Sequence, residues 1–194
     1  MEYRAKSKKL KQLATDLLSA KKIEPYLSQF GQIYYTGSYS TDLMCWPDID
    51  LQIKFNHPEK KVKEILQISE FYLHDRDINS IKLINFNKRK KPGMPLGVYM
   101  GMEVKSNNLK WKIDIWALEE EHLQRNLDFM GKINKRLTPS LHDLILKLKF
   151  KLMGTQERMP QMASYYLYQA ILFESITDES QIMNYLKHQG VKLD

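Results

Sequence analysis

The chain has 194 residues, 43% of them hydrophobic, enough for one sizeable domain or a compact domain with a helical appendage. Thirty basic residues against 23 acidic ones give a net charge of +7, which favours anionic partners such as nucleotides, nucleic acid or anionic lipid without specifying a fold. Cys45 is the single cysteine, which excludes an internal disulfide or an intrachain thiolate cluster and fits a reducing compartment.

The first stretch, "MEYRAKSKKLKQLATDLLSAKK", lacks the apolar core of a secretory signal, and no run reaches the roughly twenty apolar residues of a membrane span. A soluble cytoplasmic protein with no membrane contact is expected. Leu10, Leu13, Ala14, Leu17 and Leu18 recur at helical spacing here, with lysines on the other face. "QIYYTG" then reads as a short strand ending in Gly37-Ser38, and "STDLMC" as the opening of a helix. "DIDLQIKF" alternates as a strand, with Ile49, Leu51, Ile53 and Phe55 on one face and Asp48, Asp50, Gln52 and Lys54 on the other. Asn56 caps a helix entered through Pro58, whose inner side is assigned to Val62, Ile65, Leu66, Ile68 and Ser69. "INSIKLINF" is a further strand. "GVYMGMEV" and "LKWKIDIWAL" flank the hairpin turn "KSNN". From Glu119 four helical segments follow, with starts at Thr138-Pro139 and Thr177-Asp178. This order predicts an α+β fold with a mixed sheet of about five strands and flanking helices, divided into a core over 1–118 and a helical region over 119–194 that packs on it.

Residues two apart on a strand point the same way, about 6.5 Å from one another, so Asp48 and Asp50 present both carboxylates to one side. Unpaired, they repel and raise each other's pKa, which a divalent cation would relieve. Asp114, between Ile113 and Ile115, is a third acid on a strand expected to be central. Three such acids can hold two ions about 4 Å apart, which clamp the attacking and leaving oxygens of an in-line displacement. Gly37 lets backbone come close to a ligand, and Ser38 and Ser40 add hydroxyl donors for a phosphate.

A hydrophobic strand, Gly-Ser, a short spacer, Asp-x-Asp and a later hydrophobic-acid-hydrophobic strand together resemble the polymerase beta-like nucleotidyltransferase superfamily, over roughly residues 31–117. The resemblance implies transfer of a nucleoside monophosphate from an NTP, ATP first, to an acceptor hydroxyl with release of pyrophosphate. It also implies two Mg²⁺ ions, or Mn²⁺, at Asp48, Asp50 and Asp114, and nucleotide contacts from Gly37, Ser38 and Ser40. Many relatives carry a base just after the Gly-Ser, whereas "YSTDLMCWP" has none. Lys147 and Lys151, one helical turn apart, are assigned to the triphosphate instead, with Arg158 as a further choice.

The acceptor is read as a small molecule, with an RNA end and a non-catalytic nucleotide- or nucleic-acid-binding module, such as a toxin–antitoxin partner, as alternatives. Oligomeric state is left open. Lys88 to Lys91 are assigned to a solvated loop and the tyrosines of "ASYYLYQAILF" to a helix core. Trp46 and Trp116 are read either as walls of the site or as packing beneath the sheet. The five histidines show no zinc-ligand spacing, and Cys45 is read as a small buried hydrophobe.

Overall fold

In the computed structural model, which describes residues 2–89, 94–154 and 159–193, α1 (Glu2–Ala20) and α2 (Ile23–Leu27) lead into β1 (Gly31–Thr36). A single turn, α3 (Gly37–Ser40), precedes β2 (Asp48–Phe55), α4 (Lys61–Leu73) and β3 (Ile78–Asn85). Then come β4 (Gly97–Ser106), β5 (Leu109–Leu118) and α5 (Glu120–Arg136). The chain ends with α6 (Pro139–Met153), α7 (Ala163–Tyr168) and α8 (Glu179–His188).

The strands form one mixed sheet of five in the order β1-β2-β5-β4-β3. Only β2 and β5 run parallel; the other three neighbouring pairs are antiparallel. Asn107 and Asn108 close the β4–β5 hairpin at φ 52° and 60°, the double left-handed turn that matches strand twist and that asparagine tolerates.

Strict alternation decides which side each strand buries. Ile49, Leu51 and Ile53 of β2, Met100, Met102 and Val104 of β4, and Trp111, Ile113 and Ile115 of β5 enter one cluster, closed by Leu17 of α1, Leu27 of α2 and Ile68 of α4. Each fully buried aliphatic side chain there contributes about 1.5–3 kcal/mol. A second cluster gathers Ile133, Ile145, Leu148, Leu167, Ile182 and Leu186 from α5 to α8. Leu43 and Cys45, between α3 and β2, also enter it. That burial draws the rest of "STDLMC" out of helical form, so the turn is confined to Gly37–Ser40.

The helix of the 60s also differs from expectation. Its inner side is Ile65, Ile68, Ser69 and Tyr72, while Val62 and Leu66 are 44% and 53% exposed. Tyr72 sets this phase, because a stripe through 65, 68, 69 and 72 turns 62 and 66 outward. A 3₁₀ turn over Pro58–Lys60 leads in, flanked by His57 rather than Asn56. Thr138 and Asp178 cap α6 and α8 through bonds from the backbone N–H of Leu141 and Gln181. The segment after α7 continues as a wide helical turn over Gln169–Phe173, in which Leu172 is buried along with Tyr168 before it. Lys88 and Arg89 follow β3 in a turn, and Lys90, Lys91 and Arg158 lie outside the described residues. Among the described residues no helix is long and apolar enough to cross a membrane.

Candidate active site

Because Ile49, Leu51, Ile113 and Ile115 fill the first cluster, the residues between them are forced onto the opposite face of the sheet. Asp50 and Asp114 are register partners across the parallel β2–β5 pair, and Asp48 stands two residues before Asp50. The three carboxylates therefore share one face at the centre of the sheet. Gly37 abuts them at the end of β1. It has φ +62°, and a Cβ there would collide with the Asp50 carboxylate. Both the backbone conformation and the close approach require glycine.

Asp114 is held on both sides. The Tyr99 hydroxyl donates to Asp114 Oδ1 at 2.8 Å, and Lys112 Nζ donates to Oδ2. Tyr99 reaches over Gly101, the β4 partner of Asp114, where any Cβ would meet the tyrosine hydroxyl. Trp116 packs against Tyr99 at 4.9 Å and stacks on Phe86 at 5.4 Å, closing the far side. Lys112 Nζ also lies 3.8 Å from Asp48 Oδ1.

Burial, and then the Asp114 charge, push the Asp50 carboxyl up to about 6. Burial also raises Asp48 well above the usual carboxylate range, with Asp50 adding to the effect. Lys112 works against burial through the nearby acids, and its pKa lies above the ordinary lysine value.

Burial holds both carboxylates above their usual range despite the nearby Lys112 and Lys149 charges, a cost that a bound cation would relieve. The Asp48 Oδ1 atom is buried and accepts no hydrogen bond. Hard oxygen donors on rigid strands, one of them unpartnered, fit Mg²⁺ or Mn²⁺, with Asp48, Asp50 and Asp114 as the ligands. No three metal-ligating side chains among the described residues already converge on one point. Both oxygens of Asp114 are engaged, by the Tyr99 hydroxyl and the Lys112 ammonium.

The other residues assigned from sequence divide. Ser38 faces the acids' side of the molecule, and its hydroxyl accepts a 2.6 Å bond from Lys149 Nζ. Ser40 bonds back to the Gly37 carbonyl at 3.1 Å and lines a different cavity, of about 690 Å³, beside Arg4, Lys8 and Lys11 of α1. Lys147 and Lys151 are not brought to the acids. They pair with Glu179 of α8 and line a third cavity with Tyr3 and Lys6.

The base that does reach the Gly-Ser turn is Lys149, between them in sequence and on the other side of α6. It is completely buried and donates to Ser38 Oγ, to the Leu43 carbonyl at 2.7 Å and to the Tyr168 hydroxyl at 3.3 Å. Burial opposes its charge, but Tyr168, Cys45 and Asp48 more than offset this and hold its pKa above the ordinary value.

Gly37, Ser38, Asp48, Asp50 and Lys112 form one wall of a cleft of about 860 Å³. Trp46, Phe129, Ser164, Tyr165 and Tyr168 line it from the other sides. Tyr165 is 39% exposed there, so the helix-core assignment holds for Tyr168 and Leu172 but not for it. Cys45 is buried, and burial raises its thiol pKa.

No family model matches the sequence, and no curated protein matches it. Solved structures do match. The GLD-2/RNP-8 complex gives a TM-score of 0.50 at 12% identity, covering 91% of this chain and 67% of that one. The non-canonical poly(A) polymerase complex GLD-2–GLD-3 gives 0.45 at 13%, covering 95% and 71%. The polymerase core of TRAMP, an RNA surveillance complex, gives 0.49 at 12%, covering 92% and 56%. The first of these shares the fold, and the five-stranded mixed sheet with flanking helices is the α+β architecture that the sequence predicts. At such identity the likeness assigns no residue a role.

Proposed function

We propose that the chain transfers a nucleoside monophosphate from an NTP, ATP first, to the hydroxyl of a small-molecule acceptor, releasing pyrophosphate. The observation that carries this is the register of β2 and β5, which makes Asp50 and Asp114 neighbours on the face that Asp48 shares, beside a glycine turn and a cleft. Asp48, Asp50 and Asp114 hold divalent cations, Mg²⁺ or Mn²⁺. When bound, these would neutralise triphosphate charge and lower the pKa of the acceptor oxygen.

The backbone N–H groups around Gly37 and the Ser38 hydroxyl orient the phosphates. Lys149 fixes Ser38 and adds positive charge behind it. Tyr165 offers an exposed ring for a base to stack on. The acceptor oxygen forms its bond to the α-phosphorus as the bond to the β-phosphate oxygen breaks, and Asp114 takes the acceptor's proton. Positioning and charge neutralisation supply most of the rate gain.

A cleft of about 860 Å³ lies within the usual size of small-molecule sites, and the triad with its third acid favours chemistry over a binding module. The test is a scan of the four NTPs with Mg²⁺ against pools of small hydroxyl compounds and, separately, short RNAs, reading pyrophosphate. Release that depends on acceptor and on Asp50 supports the reading. Nucleotide binding that ignores Mg²⁺ and survives Asp48→Asn with Asp50→Asn would replace it with the binding module.

A further inference from the structure

Lys112 occupies a place on the carboxylate face that the proposed reaction does not account for. It is the register partner of Asp48 and stands two residues before Asp114, so the pleat sends its side chain to the same side as all three acids. Its ammonium bonds Asp114 and lies 3.8 Å from Asp48 Oδ1, the buried oxygen with no hydrogen-bond partner. The lysine is thus the nearest positive charge to two of the three carboxylates.

Two lysines serve this site in opposite ways. Lys149 is wholly buried and fixed by three acceptors, so it cannot leave without opening the second cluster. The Lys112 side chain is 40% exposed and lines the open cleft, so its long stem can swing away at little cost in packing.

We infer that Lys112 is a resident counter-ion that competes with divalent metal for Asp48 and Asp114, so that cation uptake and release of the Lys112 ammonium into the cleft are one event. The inference rests on the carboxylate face being the cation site of the proposed function. A divalent ion bound to Asp48 and Asp114 would stand within a few ångströms of the ammonium in its present position, and like charges that close repel strongly. Either the ammonium leaves or the ion does not stay. The free protein therefore holds divalent cations weakly. Its displaced ammonium, on the wall that carries Gly37 and Ser38, is then placed to meet the phosphates of a nucleotide.

The test is Mn²⁺ binding to the full chain, without nucleotide, by titration calorimetry for the wild type, Lys112→Gln, Lys112→Arg and Asp50→Asn. Lys112→Gln binds Mn²⁺ about tenfold tighter or more, and Lys112→Arg stays as weak as the wild type. Equal or weaker binding by the glutamine variant overturns the inference while leaving the cation site standing. If neither wild type nor Lys112→Gln shows binding that Asp50→Asn abolishes, the cation site itself falls, and the inference with it.

A second measurement needs no variant. Amine labelling with acetic anhydride, read by mass spectrometry, compares Lys112 with exposed Lys110 in the wild type. Mn²⁺ accelerates labelling of Lys112 several-fold relative to Lys110, and an unchanged ratio at saturating Mn²⁺ overturns the inference.

Discussion

Asp50→Asn removes one of three like charges while keeping the size and shape of the side chain. The Asp50 carboxyl is pushed up to about 6 by burial and by Asp114. Set against an ordinary aspartate at about 3.9, that shift of about two units corresponds to roughly 3 kcal/mol of destabilisation when the group ionises in the folded protein. Partial exposure of the Asp50 side chain reduces the expected gain to about 2 kcal/mol at pH 7.5. For a chain of this size that is a rise in Tm of roughly 4–8 °C.

The pH dependence fixes the sign. Below about pH 4 the carboxyl is protonated in the folded and unfolded chain alike, and the two proteins melt together. As pH rises toward 6, the unfolded chain ionises first and the wild type loses stability relative to the variant. Beyond pH 6 the gap is constant. Thermal melts of both proteins in EDTA at pH 4, 5, 6 and 7.5 measure it. Excess Mg²⁺ then raises the wild-type Tm and not the variant's, and pyrophosphate release is absent in the variant. Parallel pH curves, or a variant less stable than wild type at pH 7.5, would refute the electrostatics argued for this face.

Gly37→Ala forces a left-handed backbone onto a side chain that collides with Asp50; a loss of about 1–3 kcal/mol is expected in urea melts, together with lost turnover. Lys149→Met leaves the Leu43 carbonyl and Ser38 hydroxyl without their donor, costing about 2–4 kcal/mol and weakening ATP binding. Lys147→Ala with Lys151→Ala removes only exposed pairs to Glu179, so the melting temperature is nearly constant and ATP affinity by isothermal titration is unchanged. Tyr165→Ala lowers nucleotide affinity roughly tenfold through lost stacking, with melting temperature nearly constant.

The sheet was legible because strand alternation is a two-residue period that a reader can count. The Asn-Asn turn and the Thr138 and Asp178 caps were legible because each depends on a few adjacent residues. The phase of α4 was not. Val62, Ile65, Leu66, Ile68, Phe71 and Tyr72 supply more apolar positions than one face can hold. The choice among them was made by what Tyr72 meets, namely the Tyr26 ring of α2. The segment after Gly37-Ser38 failed for a similar reason: Leu43 and Cys45 belong to a cluster built by helices more than eighty residues later.

The same distinction separates the parts of the site. Asp48, Asp50 and Asp114 stood out because charges set among apolar residues on strands contradict their surroundings locally. Gly37 stood out because it precedes them at a strand end. Lys149 carries no such mark. In "LILKLKFKL" apolar residues lie on every side of the helix, and three lysines spaced by two cannot share a face. Choosing 147 and 151 for their helical spacing selected the solvent side, whereas the packing of Ile145 and Leu148 turns Lys149 inward. Lys112 shares the face of Asp114 by strand alternation, but nothing local ties it to Asp48. Only the parallel register of β2 with β5, which no local pattern specifies, brings it against Asp48. A buried lysine behind the glycine turn and a movable one before the carboxylates are therefore products of long-range pairing. Substituting them one at a time separates the charge that positions Ser38 from the charge that guards the cation face.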